Sequence, residues 1–192
     1  MLLEKINTQH GLGCMMSSFM LRECIYYGYE QSSKVYTRFL DGKQAFDHVW
    51  HSGLFLKLME NNVDSNTLLS IRKMYTNSRS RVKTQGLFSE EFPVLQGTSQ
   101  GGKSSPHMYL VFINGLIEEL EVSGLGFCMY GKQICSPTVA DDIVLVSLSK
   151  QGMDEMLDIC WKYSQKRRYF YNAAKCKVVI FNDRPSKTNR HV

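Results

Sequence analysis

Apolar residues recur at helical spacing in five stretches of the chain. The first runs from Ser17 to Tyr27 through Phe19, Leu21 and Ile25, and the second from His51 to Glu60 through Leu54, Phe55, Leu58 and Met59. The third spans Ser65 to Tyr75 with Leu68, Leu69 and Tyr75, and Asp64 precedes it as an N-cap. A longer helix is predicted from Ser105-Pro106, where proline suits a first turn. Tyr109, Phe112, Ile113, Leu116 and Leu120 form its stripe. The fifth covers Gly152 to Ser164 through Met153, Met156, Leu157 and Cys160. β-rich segments fall between these: Val35 to Leu40, Phe127 to Tyr130, Ile143 to Leu148 and Val178 to Phe181. Arg81 to Gln85 and Phe88 to Leu95 are predicted to pair through a turn near Gly86. Strands and helices interspersed without a regular βα repeat predict an α+β fold, a sheet covered by helices on one face. After Phe181 the chain turns polar, which reads as a tail or as the start of something longer.

The longest apolar run, Met108 to Ile113, is far short of a membrane span of roughly 20 residues. No apolar signal-peptide core follows the first residues. With 192 residues and 43% hydrophobic content, the chain is ordinary globular material. Its charge of +5 is uneven. Lys162 to Val192 holds nine basic residues against one acid, and Arg72 to Lys83 holds Arg72, Lys73, Arg79, Arg81 and Lys83 with no acid among them. Such patches suit a phosphate polymer, although a solvated face has the same composition. Six cysteines without a Cys-x-x-Cys spacing read as free thiols rather than a disulfide or zinc framework. His48 and His51 lack further ligands nearby and read as cap or surface residues.

Three acids sit where acids are uncommon. Asp41 ends the strand from Val35, and the adjacent Asp141 and Asp142 are wedged before the apolar Ile143-Val-Leu-Val. Neighbouring like charges repel unless water or a cation screens them. If Asp41 ends a neighbouring strand, three carboxylates converge at one sheet edge and offer hard oxygen ligands to Mg²⁺. The plainer reading makes all three turn residues. Gly97 to Ser104 also satisfies the P-loop pattern, which would make the chain a nucleotide hydrolase with Lys103 and Ser104 at the phosphates. Pro93 in the preceding segment and Pro106 in the following helix argue against it. The same residues also form a flexible turn, bare of side chains at Gly101 and Gly102, that feeds a helix N-terminus.

Taken in order, these pieces resemble the reverse transcriptases of non-LTR (LINE-type, jockey-like) retrotransposons. Phe39-Leu-Asp-Gly-Lys-Gln-Ala-Phe-Asp-His-Val-Trp-His51 resembles motif A of that family, and Gly97 to Pro106 resembles motif B. Ala140-Asp-Asp142 resembles motif C, and Asn172-Ala-Ala-Lys-Cys-Lys177 before a strand resembles motif D. Gln9-His-Gly-Leu12 and Leu21-Arg-Glu-Cys-Ile25 are similar to the end of the fingers region. The resemblance implies a polymerase palm, a ferredoxin-like split β-α-β sheet, over residues 35–181 with a fingers insertion. Residues 1–34 would be a fingers remnant, and 182–192 a polar tail cut before the thumb.

The activity so implied is RNA-directed DNA synthesis on an RNA template from a DNA primer and dNTP, with two Mg²⁺ ions. Asp41, Asp141 and Asp142 would hold the metal, and Lys175 would donate a proton to the leaving pyrophosphate. Phe46 would exclude a ribose 2′-OH, and Gln100 and Gly101 would contact the incoming nucleotide and template base. Arg79, Arg81 and Lys83 would hold template backbone. The same resemblance implies an intracellular, nuclear protein with no membrane partner. Three positions depart from the family pattern: Val139 replaces its aromatic, Ser99 its common Arg, and Gly11-Leu-Gly-Cys14 lacks its Arg. An inactive element relic that binds nucleic acid without specificity is the alternative reading.

Overall fold

The computed structural model describes residues 14–98, 104–129, 131–138 and 141–183. Its centre is a three-stranded sheet in the order β8-β1-β9, where β1 is Val35–Asp41, β8 is Asp142–Ser147 and β9 is Lys177–Phe181. β1 lies antiparallel to both neighbours. β8 and β9 are therefore parallel, joined by helix α5 (Lys150–Arg167) and held apart by β1, which is a split β-α-β unit.

Alternation along β1 assigns its residues to two faces. Leu40, with Ile143 and Leu145 of β8, joins the larger core. Helices α2 (His51–Glu60), α4 (Ser105–Ser123) and α5 close that side. The α4 stripe is buried from Tyr109 to Leu120, and each such side chain contributes about 1.5–3 kcal/mol by its apolar area. Tyr163 of α5 is buried against it, its hydroxyl donating to the Phe112 carbonyl at 2.7 Å. On the other face Val35 and Val146 pack with Cys24 of α1 (Cys14–Glu30) and with Phe127 of the hairpin β6 (Phe127–Met129)–β7 (Lys132–Ile134). Helix α1 crosses so close at Gly28 that a methyl group there would overlap the Val35 side chain.

The sheet is thus covered on both faces, against the expectation of one. Alternation within Val35–Leu40 is blurred by apolar residues on both sides, which is what a doubly covered strand looks like. Strand β7 goes unseen in the sequence because Lys132-Gln-Ile134 carries a single apolar residue. β9 is an edge strand, and its Val178, Val179 and Ile180 are exposed although their composition reads as core. The expected helices 17–27 and 152–164 are longer at both ends, extended largely by exposed residues such as Met15, Met16, Lys150 and Lys166 that leave no periodic mark.

Helix α3 (Ser65–Tyr75) starts as its N-cap predicts, with Asp64 accepting from the Thr67 amide at 2.9 Å. Beyond it the predicted hairpin forms only in fragments. β3 (Lys83–Thr84) pairs β4 (Leu87–Phe88) around Gly86, and β2 (Arg79–Ser80) pairs β5 (Phe92–Pro93). Two residues on one strand face three on the other between these ladders, so a bulge breaks the expected continuous strands 81–85 and 88–95. This ribbon is exposed throughout, which is why it stays fragmentary. Among the described residues no helix is long and apolar enough to cross a membrane.

Candidate active-site cleft

Antiparallel registry sets the distance between the acids. Leu40 pairs with Ile143 and Asp41 with Asp142, so the last residue of β1 faces the first residue of β8 across one ladder step. Directly opposite like charges are destabilising. Asp142 responds: its carboxyl is held above the ordinary value of 3.8, by desolvation first and then by the charges of Asp141 and Asp41, while Lys175 pulls it back. A carboxyl raised on folding penalises the native state wherever the group is ionised. The penalty is absent below pH 3.8, grows as the pH rises from there and is complete above the raised value. In chelator, Asp142→Asn is therefore expected to melt above the wild-type chain at pH 7 and with it below pH 3.8. Equal melting at pH 7 would show that neither burial nor the neighbouring charges penalise the Asp142 carboxylate.

Lys175 is brought to this edge by the backbone. The chain after α5 continues the ladder of β1: the Lys43 amide donates to the Phe170 carbonyl at 2.9 Å and the Asn172 amide to the Asp41 carbonyl at 2.8 Å. A turn closed by the Lys175 and Cys176 amides on the Asn172 carbonyl then places the Lys175 ammonium 3.5 Å from Asp41 Oδ1. The pair is partly exposed, at 67% and 27%, so it holds position weakly and is free to open.

Two cavities meet at Asp41. One, of 610 Å³, is lined by Asp41, Asp141, Lys175, Phe46, Thr98 and Ser105 among others. The other, of 490 Å³, lies on the α1 side and is lined by Asp41, Asp142, Lys175, Phe39 and Ser17 among others. Asp41 and Lys175 border both; Asp141 faces only the first and Asp142 only the second. Phe46 packs on the buried Tyr109 at 4.8 Å between ring centres. Burial drives the Tyr109 hydroxyl to a pKa well above the ordinary tyrosine range, and the nearby Asp141 carboxylate adds to the rise. Tyr109 is thus a neutral floor beneath Phe46. It reads in the sequence only as one member of the α4 stripe.

The loop before α4 is clamped to the segment after β1. The Gly97 amide donates to the Val49 carbonyl at 2.9 Å, and the Thr98 amide to the Phe46 carbonyl at 2.8 Å. His51 Nε2 donates to the Gly97 carbonyl at 2.8 Å. His51 is therefore a buried clamp, not the cap or surface residue its spacing suggests. Gly97 has φ +92°, and a β-carbon there would lie 3.0 Å from the Asp47 carbonyl oxygen. Gly97→Ala is expected to lower stability by about 1–3 kcal/mol, read as the shift in urea midpoint. An unchanged midpoint would mean that the clamp is not formed. Gln100 and Gly101, like Ser99, Val139 and Gly11 to Gly13, lie outside the described residues. The P-loop reading fails on geometry. The strand before Gly97 is the exposed, antiparallel β5, and α4 starts only at Ser105.

Acids and an aromatic ring meet several of the basic residues in space. Arg81 pairs with Glu91 at 2.6 Å, Arg79 approaches it at 3.9 Å, and Lys83 lies over Phe88 at 5.3 Å. The acid missing from Arg72 to Lys83 is supplied across the ribbon. Arg167 is buried beside Glu60 at 3.7 Å, so it leaves the C-terminal basic face. Among the described residues no group of three or more His, Cys, Asp and Glu is gathered as metal ligands. The donor set is nonetheless the one a hard cation takes: carboxylates of Asp41 and Asp141 line one cavity, with no sulfur or imidazole among its lining residues. Mg²⁺ sites complete such sparse sets with substrate phosphates.

A family profile described as Reverse transcriptase (RNA-dependent DNA polymerase) matches residues 9–190. The chain is 29% identical over 153 residues to the RNA-directed DNA polymerase from mobile element jockey of Drosophila melanogaster, a match covering 76% of this chain and 16% of that protein. It is 27% identical over 165 residues to the probable RNA-directed DNA polymerase from transposon X-element of the same organism, covering 83% and 17%. Among solved structures, telomerase from Candida albicans in complex with a fragment of telomeric RNA superposes with a TM-score of 0.70 at 15% identity, covering 98% of this chain and 34% of that one. The last likeness shows the fold. The chain spans about a sixth of the length of the curated relatives it matches.

Proposed function

The chain belongs to the reverse transcriptase (RNA-dependent DNA polymerase) family, and on that premise we propose that its cleft carries out template-directed nucleotidyl transfer as part of a mobile-element polymerase. The observation that carries the reading is the Asp41–Asp142 register, which sets Asp41 beside Asp141 on one cavity with Phe46 and Lys175. Residues 35–181 would then form the palm with its fingers insertion, and 1–34 a remnant of the fingers.

In this reaction the 3′-oxygen of a DNA primer bonds to the α-phosphorus of a dNTP paired with RNA template. The bond from that phosphorus to the pyrophosphate oxygen breaks, and the hydroxyl proton leaves to solvent. Asp41 and Asp141 would hold two Mg²⁺ ions, with Asp142 beside them. Bound there, the ions supply positive charge for the phosphate oxygens. The dNTP enters the 610 Å³ cavity, a volume within the range of small-molecule sites. Phe46, backed by Tyr109, sets the depth to which the sugar can sink. Lys175 leaves Asp41 as the triphosphate arrives and gives its proton to the departing pyrophosphate oxygen. Gln100 and Gly101 contact the nucleotide and template base. The Arg79, Arg81 and Lys83 ribbon touches template backbone, with Glu91 limiting the charge it can offer.

The test is addition of one nucleotide to a DNA primer on an RNA template in Mg²⁺. Addition of only the templated nucleotide supports the reading. A folded chain that binds primer and template but adds nothing supports the inactive relic.

A further inference from the structure

A third cavity, of 590 Å³, shares no lining residue with the catalytic cleft and lies between the start of α2, the end of α3 and the β2–β5 ladder. Trp50, Tyr75, Arg79, Gln96 and Arg168 are among its lining residues, and no Asp or Glu lines it. Arg168 is the C-cap of α5 and takes the left-handed conformation, φ 58°, which residues with a side chain rarely adopt. Its guanidinium lies over the Trp50 ring, 4.6 Å from the centroid. Arg81 and Arg167 each meet a glutamate, and Arg79 stands at the longer distance of 3.9 Å from Glu91, which Arg81 already holds at 2.6 Å. Arg168 meets no carboxylate among the described residues. An exposed cation held over an aromatic ring, with a second arginine in the same acid-free cavity, matches a plane for an unpaired base together with a partner for its phosphate.

Hydrogen bonds through His48 link the lining of this cavity to that of the cleft. Gln44 lines the 610 Å³ cavity and hydrogen-bonds His48 at 3.2 Å; His48 contacts Gln96 at 3.4 Å, and Gln96 lines the third cavity. Phe170, 55% exposed, sits edge-on to His48 along the same track. A duplex keeps its base faces stacked, so only an unpaired strand can use such a plane.

We propose that this cavity binds single-stranded nucleic acid outside the catalytic cleft, one base lying on the Arg168 guanidinium that Trp50 backs and its phosphate on Arg79. The inference rests on the polymerase reading for its class of ligand. The chain has two tryptophans, and Trp161→Phe leaves Trp50 as the reporter. Titrating that variant with a 20-nucleotide oligo(U) is expected to change Trp50 emission saturably. Adding Arg168→Gly removes the cation while relaxing the left-handed backbone, so folding is retained. It should weaken binding about tenfold. Arg79→Gln should reduce the slope of log affinity against log salt by about 0.7. No change in Trp50 emission, or equal affinity with and without Arg168, would overturn the proposal, as would an Arg168-dependent response to polyglutamate but not to oligo(U). If nucleotide addition fails while the Arg168-dependent response persists, the polymerase reading falls and this site stands. If addition succeeds without that response, the reverse holds.

Discussion

Asp141→Asn is expected to reduce templated nucleotide addition at least a thousandfold, about 4 kcal/mol of transition-state stabilisation, without unfolding the chain. Asn keeps the shape of the side chain but removes the charge that a bound cation needs. Stability should not fall, because Asp141 contributes to the repulsion felt by Asp142 and anchors no described element. Loss of activity with an unchanged or higher melting temperature therefore points to chemistry. If Asp141 were only a turn residue, substitution would leave addition within a fewfold of wild type.

Phe46→Val is expected to cut the preference for dNTP over the matching ribonucleotide about a hundredfold, near 2.7 kcal/mol. The ring lines the cavity shared by Asp41 and Asp141, and two restraints keep it from retreating. Tyr109 blocks it from behind, and the backbone carbonyl of Phe46 accepts the Thr98 amide. A simple core aromatic would behave otherwise. Valine in its place would lower stability and slow both nucleotides equally, leaving their ratio unchanged. The ratio of kcat/KM for the two nucleotides, measured on one primer and template, separates these outcomes.

Much of this was legible because it is local. Asp64 before α3 and Pro106 in the first turn of α4 are read from adjacent residues, and both stand where expected. The α4 stripe was equally clear, since its buried side chains recur at a helical period. Motif order brought Asp41, Asp141 and Lys175 under suspicion together. What spacing could not give was pairing over long separations. The Asp41–Asp142 register, the clamp of Gly97 on Val49 and the buried role of His51 depend on partners some 45 to 100 residues away. Charge was misleading for the same reason. Arg79, Arg81 and Arg167 look free along the chain, yet Glu91 and Glu60 meet them in space. The aromatic seat of Arg168 on Trp50 joins positions over a hundred residues apart and leaves no local mark.

The most direct measurement is addition of a single nucleotide to an RNA-templated DNA primer by the wild-type chain and by Asp41→Asn, in Mg²⁺ and in chelator. We expect the wild type to add the templated nucleotide in Mg²⁺ alone, and Asp41→Asn to add none while melting at or above the wild-type temperature. Addition that survives either chelation or the loss of the Asp41 carboxylate would contradict a cation-dependent site at the meeting of β1 and β8.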